Sequence, residues 1–251
     1  MRMGKAKSAP RRWALGLGAA AITATVLNGG VAAVAYAAPA KVSAAAYTPA
    51  TRTLRPGMRG NDVKRLQQRL AQLAYYPGTI DGHYGSDTEE AVWAFEEVQG
   101  MAASGTVTIK VERALVNPRY PAALVRHGGA LRVEVSLGRH VLYVYHHNKI
   151  ALISHISSGG GYYYCDSGCS YAITPTGNFR TTWRVKGWHA SSLGELYNPV
   201  FFYSGYAIHG DTDVPVQPVS HGCVRIPMDV ASIFPGLVPT NGIPVYVRAH
   251  G

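Results

Sequence analysis

Apolar residues follow two different rhythms along this chain. From Leu54 to Leu115 they recur at three- and four-residue steps, and beyond Leu131 they alternate. In NDVKRLQQRLAQL, Val63, Leu66, Leu70 and Leu73 share one face of a helix. The stretch YYPGTIDGHYGS is a loop punctuated by Pro77, Gly78, Gly82 and Gly85. Ser86 and Glu89 have the spacing of a capping box, ahead of a second helix that buries Ala91, Val92, Phe95 and Val98. A third, shorter helix follows Gly105, with Val107, Val111 and Leu115 as its apolar set. Three short helices over about sixty residues make a marginal bundle by themselves.

NPRYPAALVRHGG then connects to the alternating region. In LRVEVSL, Leu131, Val133, Val135 and Leu137 oppose Arg132, Glu134 and Ser136, which predicts a half-buried strand. HVLYVYHHNKIALISHIS reads as a hairpin turning near His147-Asn148-Lys149. Further strands are expected around Gly177 to Val185, Tyr197 to His209 and Val245 to Arg248. Beyond residue 128 only Met228 to Phe234 suggests helix, a turn or so. The expected fold is α+β with two domains: a small three-helix bundle followed by a mostly antiparallel β sandwich or barrel-like domain. The boundaries expected are 1–37 for an export signal, 38–53 for a linker, 54–117 for the helical domain, 118–127 for a connector and 128–250 for the β domain.

Composition adds a compartment to this picture. The chain is 47% hydrophobic and 15% charged, as a folded protein is, with a formal net charge of +10. Five of its positive charges, Arg2, Lys5, Lys7, Arg11 and Arg12, stand ahead of an Ala-rich apolar run from Trp13 to about Val34. Ala35-Tyr36-Ala37 then fits the small-x-small cleavage rule, so the segment reads as an export signal. An uncleaved membrane anchor is the alternative, which Asn28-Gly29-Gly30 weakens by interrupting the run. Membrane contact is expected only through such a retained segment. The remaining positive charge suits polyanions outside the cell, although scattered Lys and Arg that simply solvate the surface are the favoured reading. No basic stripe interleaved with aromatics appears, so nucleic acid is not an expected partner.

Three cysteines, Cys165, Cys169 and Cys223, face that oxidising compartment. CDSGC is a short polar turn able to bring Cys165 and Cys169 within disulfide range, which would leave Cys223 unpaired. A zinc site using all three plus a histidine is the alternative, although CxxxC is not the CxxC knuckle spacing, and no metal is expected. Cys223 lies in SHGCVR with two histidines available as a base. His221 is two residues away and on the same side of an extended chain; His209 ends an earlier β-rich run and could reach across from a neighbouring strand. Gly222 permits tight backbone geometry for an oxyanion site, and Arg225 offers a fork for a carboxylate.

Two family resemblances rest on these residues. LRPGMRGNDVKRLQQRL, DGHYGSDTEEAVWAF and GTVTIKVERAL resemble, in order, the peptidoglycan-binding three-helix module of bacterial wall enzymes. His83 stands there where an apolar residue is common, and reads as an exposed loop histidine. TPTGNF, YNPVFFYSGYAIHGD and SHGCVR resemble the L,D-transpeptidase (YkuD-like) catalytic domain over about Leu131 to Arg248.

The second resemblance implies cysteine-dependent acyl transfer on peptidoglycan stem peptides, with no metal or organic cofactor. Carried over, Cys223 is the nucleophile and His209 the general base. His221 and Gly222 shape the oxyanion site, Ser220 supports that turn and Arg225 contacts substrate. The expected partners are stem peptides and the glycan wall, with carbapenem-type inhibitors acylating Cys223, and the expected location is the cell wall or exterior. A carboxypeptidase acting on the same stems, or a non-catalytic wall-binding protein, are the alternatives. The insertion SSGGGYYYCDSGCSYAITP, Ser157 to Pro175, reads first as a stapled surface excursion, and alternatively as a lid or subsite wall. Trp183, Trp188 and His189 to Leu196 are further candidates for the cleft border, whereas His146, His147 and His155 read as surface or satisfied strand residues.

Overall fold

The computed structural model describes residues 47–250 apart from Ser167. The expected export signal at 1–37, and the linker as far as residue 46, lie outside the described residues. Helices α1 (Asn61–Gln72), α2 (Ser86–Val98) and α3 (Ile109–Val116) carry the apolar faces read from the sequence. Val63, Leu66, Leu70, Phe95 and Leu115 are fully buried between them. Two local expectations change. Ser86 is the first residue of α2 and Gly85 is its N-cap, with no side-chain cap, so the capping box does not form. Val107 precedes α3 and instead bridges Leu54, with both backbone groups paired at 2.9–3.1 Å. Tyr47 straps the incoming chain to this bundle through a 2.7 Å hydrogen bond to Glu112.

The rest of the chain forms two main sheets. Strands β1 (Arg132–Ser136), β2 (Val141–His146), β3 (Lys149–His155), β6 (Gly177–Arg180) and β11 (Pro244–Arg248) assemble in the order β3-β2-β1-β11-β6. Strands β7 (Trp188–Ser191), β8 (Gly194–Tyr203), β9 (Tyr206–Gly210) and β10 (Val224–Ile226) assemble in the order β10-β9-β8-β7. Most neighbours are antiparallel, but β1 with β11 and β9 with β10 run parallel. The two sheets share one core, in which Val133, Val144 and Val245 meet Val200, Ile208 and Val224. The arrangement is an open sandwich, not a closed barrel. A small hairpin, β4 (Tyr163–Cys165) with β5 (Cys169–Tyr171), stands apart.

The alternation of β2 explains how helices and sheets are joined. Leu142 and Val144 point into the sandwich, while Val141, Tyr143 and Tyr145 join the core of the helical bundle. The sheet is therefore buried on both faces along this strand, and the bundle is seated on it directly. The same covering corrects the half-buried expectation for β1, all five residues of which are buried. Arg132 and Glu134 pair at 2.6 Å there, the Arg132 guanidinium lies 3.7 Å from the Tyr145 ring centroid, and the Leu124 amide of the connector donates to Glu134. Paired polar groups thus replace the solvent that period-two reading assumed.

Helix α4 (Met228–Leu237) is longer than the single turn expected. Pro235 sits in its last turn, where one lost backbone bond is tolerated while Val230, Ala231, Phe234 and Leu237 stay buried. No described helix is long and apolar enough to cross a membrane.

Candidate active site

The parallel pairing of β9 with β10 assembles the site. Its register sets Val224 against Ile208 and Arg225 against His209. Cys223, just before β10, consequently lies level with Ala207, whose amide is 3.5 Å from Sγ. Sγ is also 3.9 Å from the Gly205 carbonyl. Cys223 and His209 line one cleft of about 770 Å³, together with Ser220, His221 and Arg225. All five side chains singled out in the sequence are therefore brought together.

The turn that presents Cys223 is held by its own polar groups. Ser220 Oγ donates to the Cys223 carbonyl at 2.6 Å and accepts the Gly222 amide at 3.0 Å. Thr174 Oγ1 donates to the Gly222 carbonyl at 2.8 Å. Gly222 has φ 135°, and a Cβ there would sit 2.5 Å from the Tyr206 ring and 2.6 Å from the Ile173 carbonyl. Only glycine fits this close approach. Since its amide is already donated to Ser220, Gly222 is a strut of the turn and not a donor directed into the cleft.

His209 is buried, and its Nδ1 lies 2.9 Å from the Gly210 carbonyl. A carbonyl can only accept, so Nδ1 carries the hydrogen and Nε2 keeps its lone pair. Burial pushes the His209 pKa below the ordinary value, with the Gly210 bond and Asp211 opposing and Arg225 reinforcing. Burial likewise pushes the Cys223 thiol up, against the Ala207 amide and Arg225. Both shifts favour the uncharged forms of the two groups, a thiol and an imidazole.

Arg225 is engaged by acids on the loop after β9. Its Nε pairs with Asp211 at 3.1 Å, and Nη1 donates to the Asp213 carbonyl at 3.2 Å. It thereby ties β10 to the segment that follows His209, while still lining the cleft. His221 meets the rings of Tyr162 and Tyr164 edge-on, at centroid separations of 5.7 and 4.7 Å.

Cys165 and Cys169 form a disulfide, and Cys223 is the free thiol. That bond removes both cysteines from any shared metal site. It closes the β4–β5 hairpin, and Tyr164 of that hairpin lines the cleft. The insertion is thus a wall of the site and not a remote excursion. Trp188 and the stretch His189 to Leu196 border the cleft, except Ala190. Trp183 does not border it and instead stacks on Phe201, with centroids 3.7 Å apart. His155 is buried between Glu97 and the Pro215 carbonyl, and His146 meets the Leu237 carbonyl, so both are satisfied strand residues. His83 is half-buried, bridging Arg59, and not fully exposed. Sequence reading missed Tyr206, Asp211 and Thr174. Each had a signal: Thr174 is the first residue of TPTGNF, and Tyr206 and Asp211 lie within YNPVFFYSGYAIHGD.

Comparison with known proteins gives two family matches. Residues 59–115 match the peptidoglycan binding domain family, and residues 130–247 match the L,D-transpeptidase catalytic domain family. A crystal structure of the L,D-transpeptidase from Xylanimonas cellulosilytica superposes with a TM-score of 0.73 at 33% identity, covering 80% of this chain and 100% of that one. Two curated proteins show short matches. The N-acetylmuramoyl-L-alanine amidase CwlM of Mycobacterium tuberculosis is 44% identical over 46 residues, 18% of this chain and 11% of that protein. The amidase CwlL of Bacillus licheniformis is 39% identical over 56 residues, 20% of this chain and 16% of that protein. The chain therefore spans only a small part of either amidase.

Proposed function

The chain belongs to the L,D-transpeptidase family, and from that premise we propose that it joins peptidoglycan stem peptides by 3–3 cross-links through a Cys223 thioester. The observation that carries this reading is the free Cys223 thiol in a cleft shared with His209, whose Nδ1 is committed to the Gly210 carbonyl. Cys223 Sγ attacks the carbonyl of the third stem residue as His209 Nε2 takes its proton. Charge develops on the carbonyl oxygen against the His221–Cys223 turn, which Ser220 and Thr174 hold in place. The carbon–nitrogen bond to the terminal D-alanine breaks, His209 returns the proton to the leaving amine, and a thioester remains. An amine of a second stem attacks the thioester, His209 accepts its proton, and the carbon–sulfur bond breaks as His209 passes that proton to Cys223, which leaves as the thiol. No outside reductant or oxidant is needed. Arg225, held by Asp211 with room left on its guanidinium, is the residue offered to a substrate carboxylate.

The helical module serves to hold the enzyme on the wall, at a cell-wall or extracellular location. Carbapenem-type β-lactams are expected to acylate Cys223 by the same attack. The test is product analysis with a disaccharide-tetrapeptide. A cross-linked dimer supports transfer, and tripeptide alone shows that water is the acceptor and the enzyme is a carboxypeptidase. Cys223→Ala is expected to abolish both products and the carbapenem mass adduct; turnover retained in that variant overturns the assignment.

A further inference from the structure

The β4–β5 hairpin has a construction that surface excursions do not need. Its strands are three residues each, and a two-stranded hairpin of that length is marginal in water. Two features hold it. The Cys165–Cys169 disulfide closes the tip, and Tyr163 packs on its cross-strand partner Tyr171 with ring centroids 4.8 Å apart. Alternation then divides the aromatics. Tyr163 is 82% exposed on the outer face, while Tyr162 and Tyr164 turn the other way, onto His221.

The root of the hairpin is bound to the same turn. Gly160 donates to the Ser220 carbonyl at 3.0 Å, Ser220 donates to the Ser158 carbonyl at 2.9 Å, and Tyr162 Oη donates to the Val219 carbonyl at 3.2 Å. Gly159 makes this approach possible, because a Cβ there would lie 2.6 Å from Ile173 Cα. The hairpin thus grips both the backbone beside Ser220 and the ring of His221.

We propose that this disulfide-closed hairpin is a positioning element of the acyl-transfer site, in which Tyr164, braced by Cys165–Cys169, fixes His221 and with it the turn presenting Cys223. The proposal rests on the reading of Cys223 as the acylated residue. Tyr164 acts through His221 by ring contact, so its hydroxyl is dispensable and its ring is not. Opening the disulfide releases the tip and lets Tyr164 leave His221. Activity then depends on the oxidation state of two cysteines that take no part in the chemistry.

The test uses the exported full chain and follows kcat and KM on the tetrapeptide donor, together with carbapenem adduct formation by intact mass. Tyr164→Phe is expected to match the parent, whereas Tyr164→Ala and Cys165→Ser/Cys169→Ser lose about tenfold in kcat/KM, the weight of an edge-on aromatic contact. Alkylation of Cys223 by iodoacetamide, which requires no oriented turn, is expected to stay unchanged in all of them. The His221 ring proton resonances are expected to move when the Tyr164 ring is removed and not when only its hydroxyl is. If Tyr164→Ala and the double serine variant both keep the parent kcat/KM, the positioning role is wrong while the function stands. Should the parent form neither adduct nor product, the function itself fails. A loss of iodoacetamide reactivity or of melting temperature in step with activity would assign the hairpin a merely structural role and overturn the proposal.

Discussion

Cys223 and His209 share a cleft in which burial disfavours both of their charged forms. The thiol is held up and the imidazole down, so in the proposed mechanism proton transfer accompanies attack. As the proposed base His209 acts unprotonated, and its lowered pKa keeps it so to a more acidic pH than an ordinary histidine. The acidic limb of kcat/KM is therefore expected below about pH 6.5, and rate should hold through neutrality. Thiolate absorbance is expected to be missing at neutral pH in the free enzyme. A limb displaced above the ordinary histidine value, or a thiolate band at neutral pH, would contradict the neutral pair. These two residues were legible in the sequence because short motifs carry them. Their protonation was not, since it depends on burial that only the packed β9–β10 pair creates. Tyr164 was equally hidden, because its contact with His221 joins segments separated by more than fifty positions (57).

At the scale of elements, α2 carries its acids toward the β domain. Burial pushes the carboxyls of Asp87 up to about 6, Glu97 to about 7 and Glu90 to about 8. Asp87 also shares a hydrogen bond with Asp229 at the start of α4, and Glu97 meets His155 at 2.9 Å. A raised folded pKa means that the stabilising form is the protonated one. That contribution is complete below the unfolded carboxylate value near pH 4.3, and it is lost as pH rises through the range 6 to 8 given by these three carboxyls. Calorimetry is expected to give a higher melting temperature near about pH 5 than near about pH 9, with a shallower decline in Asp229→Asn. A flat or rising profile would refute the buried-acid account. The periodicity revealed α1, α2 and the β2–β3 hairpin because their patterns were long and consistent. It missed β4, β5, β7 and β10 because three- and four-residue strands hold too few alternations to stand out. It shortened α4, which runs three residues past the expected Phe234 and carries Pro235 in its last turn.

At the scale of the whole molecule, helices and sheets are not beads on a linker. Val141, Tyr143, Tyr145 and Ile153 leave the sheet to complete the core of the helical bundle. A chain beginning near residue 128 would uncover them, and the two tyrosines alone would expose on the order of 300 Å², close to the largest apolar patch of a typical monomer. Such a truncation is expected to aggregate or to melt well below the full chain in a sedimentation or calorimetric comparison. A soluble, equally stable fragment would show that the bundle is a passive attachment. The double-faced burial of β2 also gives the chain a direction of assembly. Residues 61–116 leave the ribosome before β2 does, so the helices offer a ready-made apolar template on which the first sheet can nucleate. Translation order would then run in the same direction as packing, from the bundle outward to the half that carries Cys223.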